Sequence, residues 1–169
     1  IGKTIFLFLA ISALYLFLRA TSLNFQNTFN FYDQPNAYTE NITVRVLTFS
    51  KALSDYFKIL IFPTNLHMER GTHFTTAQSA LEPNVLIGFF IVSILIFISI
   101  VLLKQKKPEF LFGTLWFFLG LFPTSGILIP INSFIQEHWL YLPLIGFFLS
   151  LGFLIQEFLK NTNKFKNIK

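Results

Sequence analysis

The chain has 169 residues, 53% hydrophobic and only 12% charged, with 24 Phe and a mean hydropathy of +0.60. Soluble domains carry about a quarter charged residues, so too little polar surface is left here to wrap a water-soluble globule. The formal net charge is +5 and there is no Cys, which excludes disulfides, thiolate metal sites and a cysteine nucleophile.

The first apolar block, Ile5 to Leu18, lies between Lys3 and Arg19 and predicts a spanning helix over about 3–19. It is short against the ~20 residues a span needs, and flanking cations can snorkel to compensate. The chain opens at Ile1 inside an apolar run and its one Met is Met68, so it reads as an internal piece of a larger polytopic protein. Leu18-Arg19-Ala20 makes a poor cleavage site, which argues against a secretory leader. Residues 20–83 follow as an outward segment interrupted by one helix. Its polar first part carries Asp33 in the turn-like Tyr32-Asp33-Gln34-Pro35 and the sequon Asn41-Ile42-Thr43.

Over 45–62 the pattern takes a helical period. Val46, Phe49, Leu53, Phe57 and Leu60 recur every three or four positions, while Thr48, Lys51, Asp55 and Lys58 take the other side. That predicts an amphipathic helix ended by Pro63 and suited to the membrane interface. A spanning helix with its charges turned into a bundle is the alternative. The loop beyond it holds His67, Glu69, Arg70 and His73. Its two histidines stand six apart, off a common helix face and unlike any zinc motif, so no metal is expected.

Val85 to Leu103 is uncharged, predicts a span over 84–103, and stops at Lys104-Gln105-Lys106-Lys107-Pro108. Phe110 to Ile135 carries no charge but contains Pro123 and Pro130. The pattern predicts a span over 109–123 and then an irregular apolar loop over 123–138. Such backbone at membrane depth must be covered by protein or line a cavity, because lipid cannot satisfy its polar groups. The last span, 139–159, opens on the interfacial aromatics Trp139 and Tyr141. The fold expected is therefore an all-α polytopic membrane bundle, with about four spanning helices and one amphipathic interfacial helix. The lysine-rich turn 104–107 and the basic tail are separated by two crossings, and the positive-inside rule places both in the cytoplasm. The 64–84 and 123–138 loops then face outward. Lysines at the ends of apolar blocks point to membrane lipids, and not nucleic acid, as partners.

The stretch from Phe122-Pro123-Thr124-Ser125 to Glu137-His138-Trp139-Leu140-Tyr141-Leu142-Pro143-Leu144-Ile145-Gly146-Phe147 puts an acid and a histidine at a helix start beside an apolar loop. A helix start favours anions through its free N–H groups, so a lipid phosphate suits that position. The plainer reading is that Glu137 caps the helix and His138 sits at the interface.

The same stretch resembles the signature of the transmembrane, tetratricopeptide-repeat O-mannosyltransferase-like family and its bacterial relatives, F-P-x-S-N followed by E-R-x-L-Y-L-P-S-x-G-F. Gly126, His138 and Leu144 depart from it, standing where Asn, Arg and Ser are common. Upstream, Arg45-Val46-Leu47-Thr48 and Phe62-Pro63-Thr64-Asn65-Leu66 are similar to the family's R-x-x-T and F-P-x-x-L. The resemblance, which covers roughly Arg45 to Phe147, implies a class C glycosyltransferase fold. It also implies transfer of a sugar from a polyprenyl-phosphate donor to a protein or glycan acceptor outside the cytoplasm, with no cofactor. The family's acidic pair lies in a first outward loop that this chain does not show, and Asp33 is better read as a turn residue than as a base. The chain would then supply pocket walls and carrier contacts, with Arg45, Arg70 or His138 on the phosphate and Glu137 orienting one of them. A transporter of lipid-linked sugar and a non-catalytic anchor or assembly subunit are the competing readings. Richness in Phe, Ile, Asn and Lys fits an AT-rich bacterial genome and so favours a bacterial inner membrane over the endoplasmic reticulum, the alternative location.

Overall fold

The computed structural model describes residues 2–21, 32, 34–64, 66 and 74–166. Regular structure among them is entirely helical: α1 (Gly2–Thr21), α2 (Ala37–Glu40), α3 (Ile42–Ile61), α4 (Pro83–Lys104), α5 (Glu109–Leu121) and α6 (Tyr141–Lys166). Short 3-10 turns, Phe122–Thr124 and Glu137–Leu140, bound the irregular stretch between α5 and α6. The chain divides into two compact units, Ile1–Gln34 and Pro35–Lys169. The first holds α1, closed by Arg19, whose guanidinium donates to the Tyr15 hydroxyl at 2.6 Å.

The second unit begins with a device the hydrophobic pattern does not show. Asn36 accepts from the N–H groups of Tyr38 and Thr39, while its own N–H donates to the Thr39 hydroxyl. That reciprocal cap starts α2. Asn41 then caps α3, accepting from the Thr43 N–H at 2.8 Å. The helix predicted over 45–62 therefore begins at Ile42 and ends at Ile61.

α3 meets the beginning of α4, the end of α5 and the entry to α6. Ala52, Leu53, Tyr56 and Ile59 are buried in one cluster with Phe117 and Leu121 of α5, Ile135 of the loop and Leu140. Phe57 packs edge-on against Phe117 and Phe147, at 5.5 and 6.2 Å between ring centres. Ser50 donates to the Val85 carbonyl in the first turn of α4. α3 thus lies across one end of the other three helices.

Its polar side is not a bare solvated stripe. Thr48 is buried and accepts from the Ala77 N–H at 3.1 Å, because residues 74–82 pass over this face. Lys51 reaches Glu82 at 3.0 Å and lies over the Phe74 ring. Glu82 also accepts from the N–H groups of Gln78 and Ser79, and these hydrogen bonds, with Lys51, hold its carboxyl below the ordinary carboxylate range. Pro83, with no N–H to leave unpaired, then opens α4.

Glycines set how closely the helices approach. A Cβ on Gly88 would overlap the backbone carbonyl of Ser50. Gly113 of α5 and Gly146 of α6 lie against each other's backbone in the same way, beside the Thr114–Ser150 hydroxyl pair. Contacts between small residues, with hydroxyls bonded across, are a common way for apolar helices to associate where water supplies no driving force. At the far end, Lys107 pairs with Glu157 and ties the α4–α5 turn to α6.

Two runs, Pro83–Lys104 and Glu137–Lys160, are long and apolar enough to cross a membrane, with hydropathies of 3.2 and 1.8. Only 17% of each apolar window is buried, whereas the core helix of a soluble protein is mostly covered. Of the four spans predicted, these two meet the length. Ile5–Thr21 and Glu109–Thr124 are apolar but shorter. α5 has 13 residues, about 20 Å at the helical rise, against a hydrocarbon core of about 30 Å.

The packing makes two opposed predictions for purified protein unfolded thermally in detergent. Gly88→Ala forces a methyl into the Ser50 carbonyl and loses about 1–3 kcal/mol. Gly152→Ala, whose Cβ would meet nothing within 4 Å, is neutral or gains up to about 1 kcal/mol. The reverse order would refute the close α3–α4 contact.

Candidate functional site

The irregular stretch 125–136 has few partners of its own and is held by side chains from elsewhere. Arg45, in the first turn of α3, donates Nε to the Ile127 carbonyl at 2.9 Å. Its Nη1 donates to the carbonyls of Thr39 at 2.8 Å and Tyr38 at 3.3 Å. One guanidinium thereby joins α2, α3 and the loop. Tyr38 is buried with its ring edge-on to Phe134 at 5.0 Å, and its hydroxyl lies where a Cβ on Gly126 would fall. Gly126 is needed there twice over, since its φ is +69°. Burial raises the Tyr38 phenol above its ordinary range, opposed by a backbone hydrogen bond with Ile131 and by Arg45.

The other end of the loop is held by Tyr56. Its hydroxyl donates to the Gln136 carbonyl at 3.3 Å and accepts from the Gln136 N–H at 3.1 Å. Both backbone groups of one residue are satisfied by one phenol. Burial pushes Tyr56 up to about 12 from 10.0, against the lowering effect of the Gln136 backbone.

Immediately after Gln136 the chain enters the 3-10 turn that carries Glu137 and His138. Gln136 stands at the N-cap of this turn and its side chain makes no capping hydrogen bond, while Glu137 lies in the first turn. The His138 ring stands edge-on to Trp139 at 5.9 Å and the residue is exposed. Both residues line a cleft of ≈ 400 Å³. Ile59, Leu60 and Pro63 form one wall, at the end of α3, and Leu140, Leu144 and Phe148 form the other, at the entry to α6. Glu137 and His138 are the titratable groups among its described lining apart from the Tyr141 phenol.

The four residues singled out in the sequence do not converge. Glu137 and His138 are brought together. Arg45 lies 14 residues before Ile59 on the same helix, about 20 Å along its axis. Its guanidinium is already on three carbonyls, which gives it a role in holding the loop. Arg70 lies outside the described residues, as do Asp33, His67, Glu69 and His73. Among the described residues no group of three metal-ligating side chains forms. Sequence reasoning missed Tyr56 and Tyr38. The available signal was a phenol at a buried helical position, since a buried hydroxyl requires a partner.

No family model matches this chain, and no curated protein or solved structure matches it either.

Tyr56→Phe leaves the Gln136 N–H buried without its partner and is expected to cost about 1–3 kcal/mol. The wild-type protein should also lose stability as pH rises from 10 towards 12. There the unfolded phenol ionises first, so the unfolded state gains from losing a proton that the native state still holds. Tyr56→Phe removes that component, and an unchanged alkaline slope in the variant's unfolding curve would contradict the assignment.

Proposed function

We propose that this chain forms part of a membrane glycosyltransferase that takes a sugar from a polyprenyl-phosphate carrier on the outer side of the membrane. The observation carrying the reading is the cleft. It joins apolar walls, suited to a lipid chain, to the Glu137–His138 pair, suited to a polar head. Further support comes from the resemblance, whose two stretches include lining residues of the cleft, Pro63 and Leu66 in one and Glu137, His138, Leu140 and Tyr141 in the other.

In this reading α4, α5 and α6 cross the bilayer, with α1 as a fourth span. α5 reaches across with the help of the 3-10 turn that continues it. α3 lies at the interface, which accords with its position over the ends of the other helices. The lysine-rich turn faces the cytoplasm and the tied loop faces the periplasm, in a bacterial inner membrane. His138 donates to the carrier phosphate, and Glu137 orients the head through its own hydrogen bonds. A glycosyl transfer also needs a carboxylate base on the acceptor hydroxyl, and that base is supplied from outside this cleft. The acceptor, protein or glycan, approaches from the same outward side.

The test is titration of the purified full-length protein with polyprenyl phosphate. His138→Ala removes a hydrogen bond to a charged group, worth about 1.5–3 kcal/mol, and should weaken affinity about tenfold or more. Glu137→Gln should weaken it less, and Leu128→Ala, on the exposed part of the loop, should leave it unchanged. Unchanged affinity in both site variants would end this reading.

A further inference from the structure

We propose that the α4–α5 turn, together with the neighbouring end of α6, is a docking surface for the headgroups of anionic phospholipids. The inference rests on the membrane reading above but not on the carrier cleft. Glu157 of α6 takes both Lys107 from the turn and Lys160, the latter at 3.3 Å. That shared carboxylate places the turn's Lys107 beside Lys160 of α6. Lys104 and Lys106 are exposed next to them. The remaining acid there is Glu109, in the first turn of α5, where the helix dipole favours it.

The geometry at Lys106 is the distinguishing observation. α4 ends in a hydrogen-bonded cap in which the Lys107 N–H reaches the Leu102 carbonyl and the Lys106 N–H the Leu103 carbonyl. Lys106 occupies the left-handed position of that cap, at φ 59°, where glycine is the usual residue. Among the described residues it is the one non-glycine residue with positive φ. A side chain there carries a conformational penalty, and the described residues form no ion pair or hydrogen bond with its ammonium group. The C-terminal end of α4 favours a cation through the helix dipole, and the exposed ammonium is left facing outward, where an anionic headgroup can meet it.

The surroundings identify that partner. Near the lysines along these helices are exposed apolar side chains, Leu103 of α4, Phe112 of α5 and Phe158 of α6, the last next to Glu157 in sequence. Cations beside an apolar band match a phospholipid, with phosphate at the ammonium level and acyl chains against the rings. Free phosphate or a nucleic acid would leave the apolar band without a use.

The experiment reconstitutes the whole chain in bilayers of mixed phosphatidylglycerol and phosphatidylcholine and measures which lipid is enriched around it. Wild type should enrich the anionic lipid, less so in high salt, and millimolar inorganic phosphate should not displace it. Lys104→Gln and Lys106→Gln should each reduce the preference about fivefold. Lys106→Gly should split the two readouts, raising thermal stability while lowering anionic-lipid preference. Equal enrichment of both lipids by wild type, or full preference kept in Lys106→Gly, would overturn the proposal. Alkaline carbonate extraction of the same bilayers tests the membrane reading separately, since a merely peripheral protein would be released whatever its lipid preference.

Discussion

Irregular backbone among apolar side chains has to find a partner for each N–H and C=O, because neither lipid nor a packed core can stand in for water. Residues 125–136 are such a stretch, uncharged and bounded by Pro123 on one side and the Glu137 turn on the other. The partners come largely from α3. Arg45 takes the Ile127 carbonyl at one end, and Tyr56 takes both backbone groups of Gln136 at the other. Eleven residues, about 16 Å of helix, separate these two anchors. A single rigid element therefore fixes both ends of the loop.

The same constraint explains why α3 looks as it does. A helix lying across the ends of three others needs a wide packed face and small residues where it crosses them. Ala52, Ser50 and Gly88 provide the close approach, and Leu53, Tyr56 and Ile59 fill the space towards α5 and α6. Its far side is covered by 74–82, through Thr48 and Lys51. The cleft is a by-product of this arrangement. Where α3 stops at Ile61 and the chain turns at Pro63, a gap remains against the entry to α6, and Glu137 and His138 open into it. The anchor at Gln136, one residue earlier, sets where those two side chains stand.

Much of the helical order was legible. The uncharged run and the lysine-rich stop located α4 to within a residue or so at each end, and Pro123 with Pro130 marked the loop. Less legible were features that depend on single hydrogen bonds. Asn41 reads as a sequon, yet it caps α3 and moves the helix start to Ile42. Periodicity put Thr48 and Lys51 on an open face because it carries no information about which loop returns over a helix. For the site, the helix-start pattern picked out Glu137 and His138 as neighbours. The family resemblance added Arg45, whose distance from them follows from the lie of α3 and not from spacing along the chain. Tyr56 was hidden because a tyrosine in an apolar stripe looks like core until its hydroxyl's partner is known.

The proposed topology puts the tied loop and the lysine-rich turn at opposite faces of a membrane. The chain contains no Cys, so single cysteines can be placed without background. Leu128→Cys, in the loop, and Gln105→Cys, in the turn, are both exposed positions. With a membrane-impermeant maleimide on intact cells, the account predicts that the Leu128 position labels and the Gln105 position labels only after the membrane is opened. Labelling of both positions on intact cells, or of neither until the membrane is opened, would contradict it.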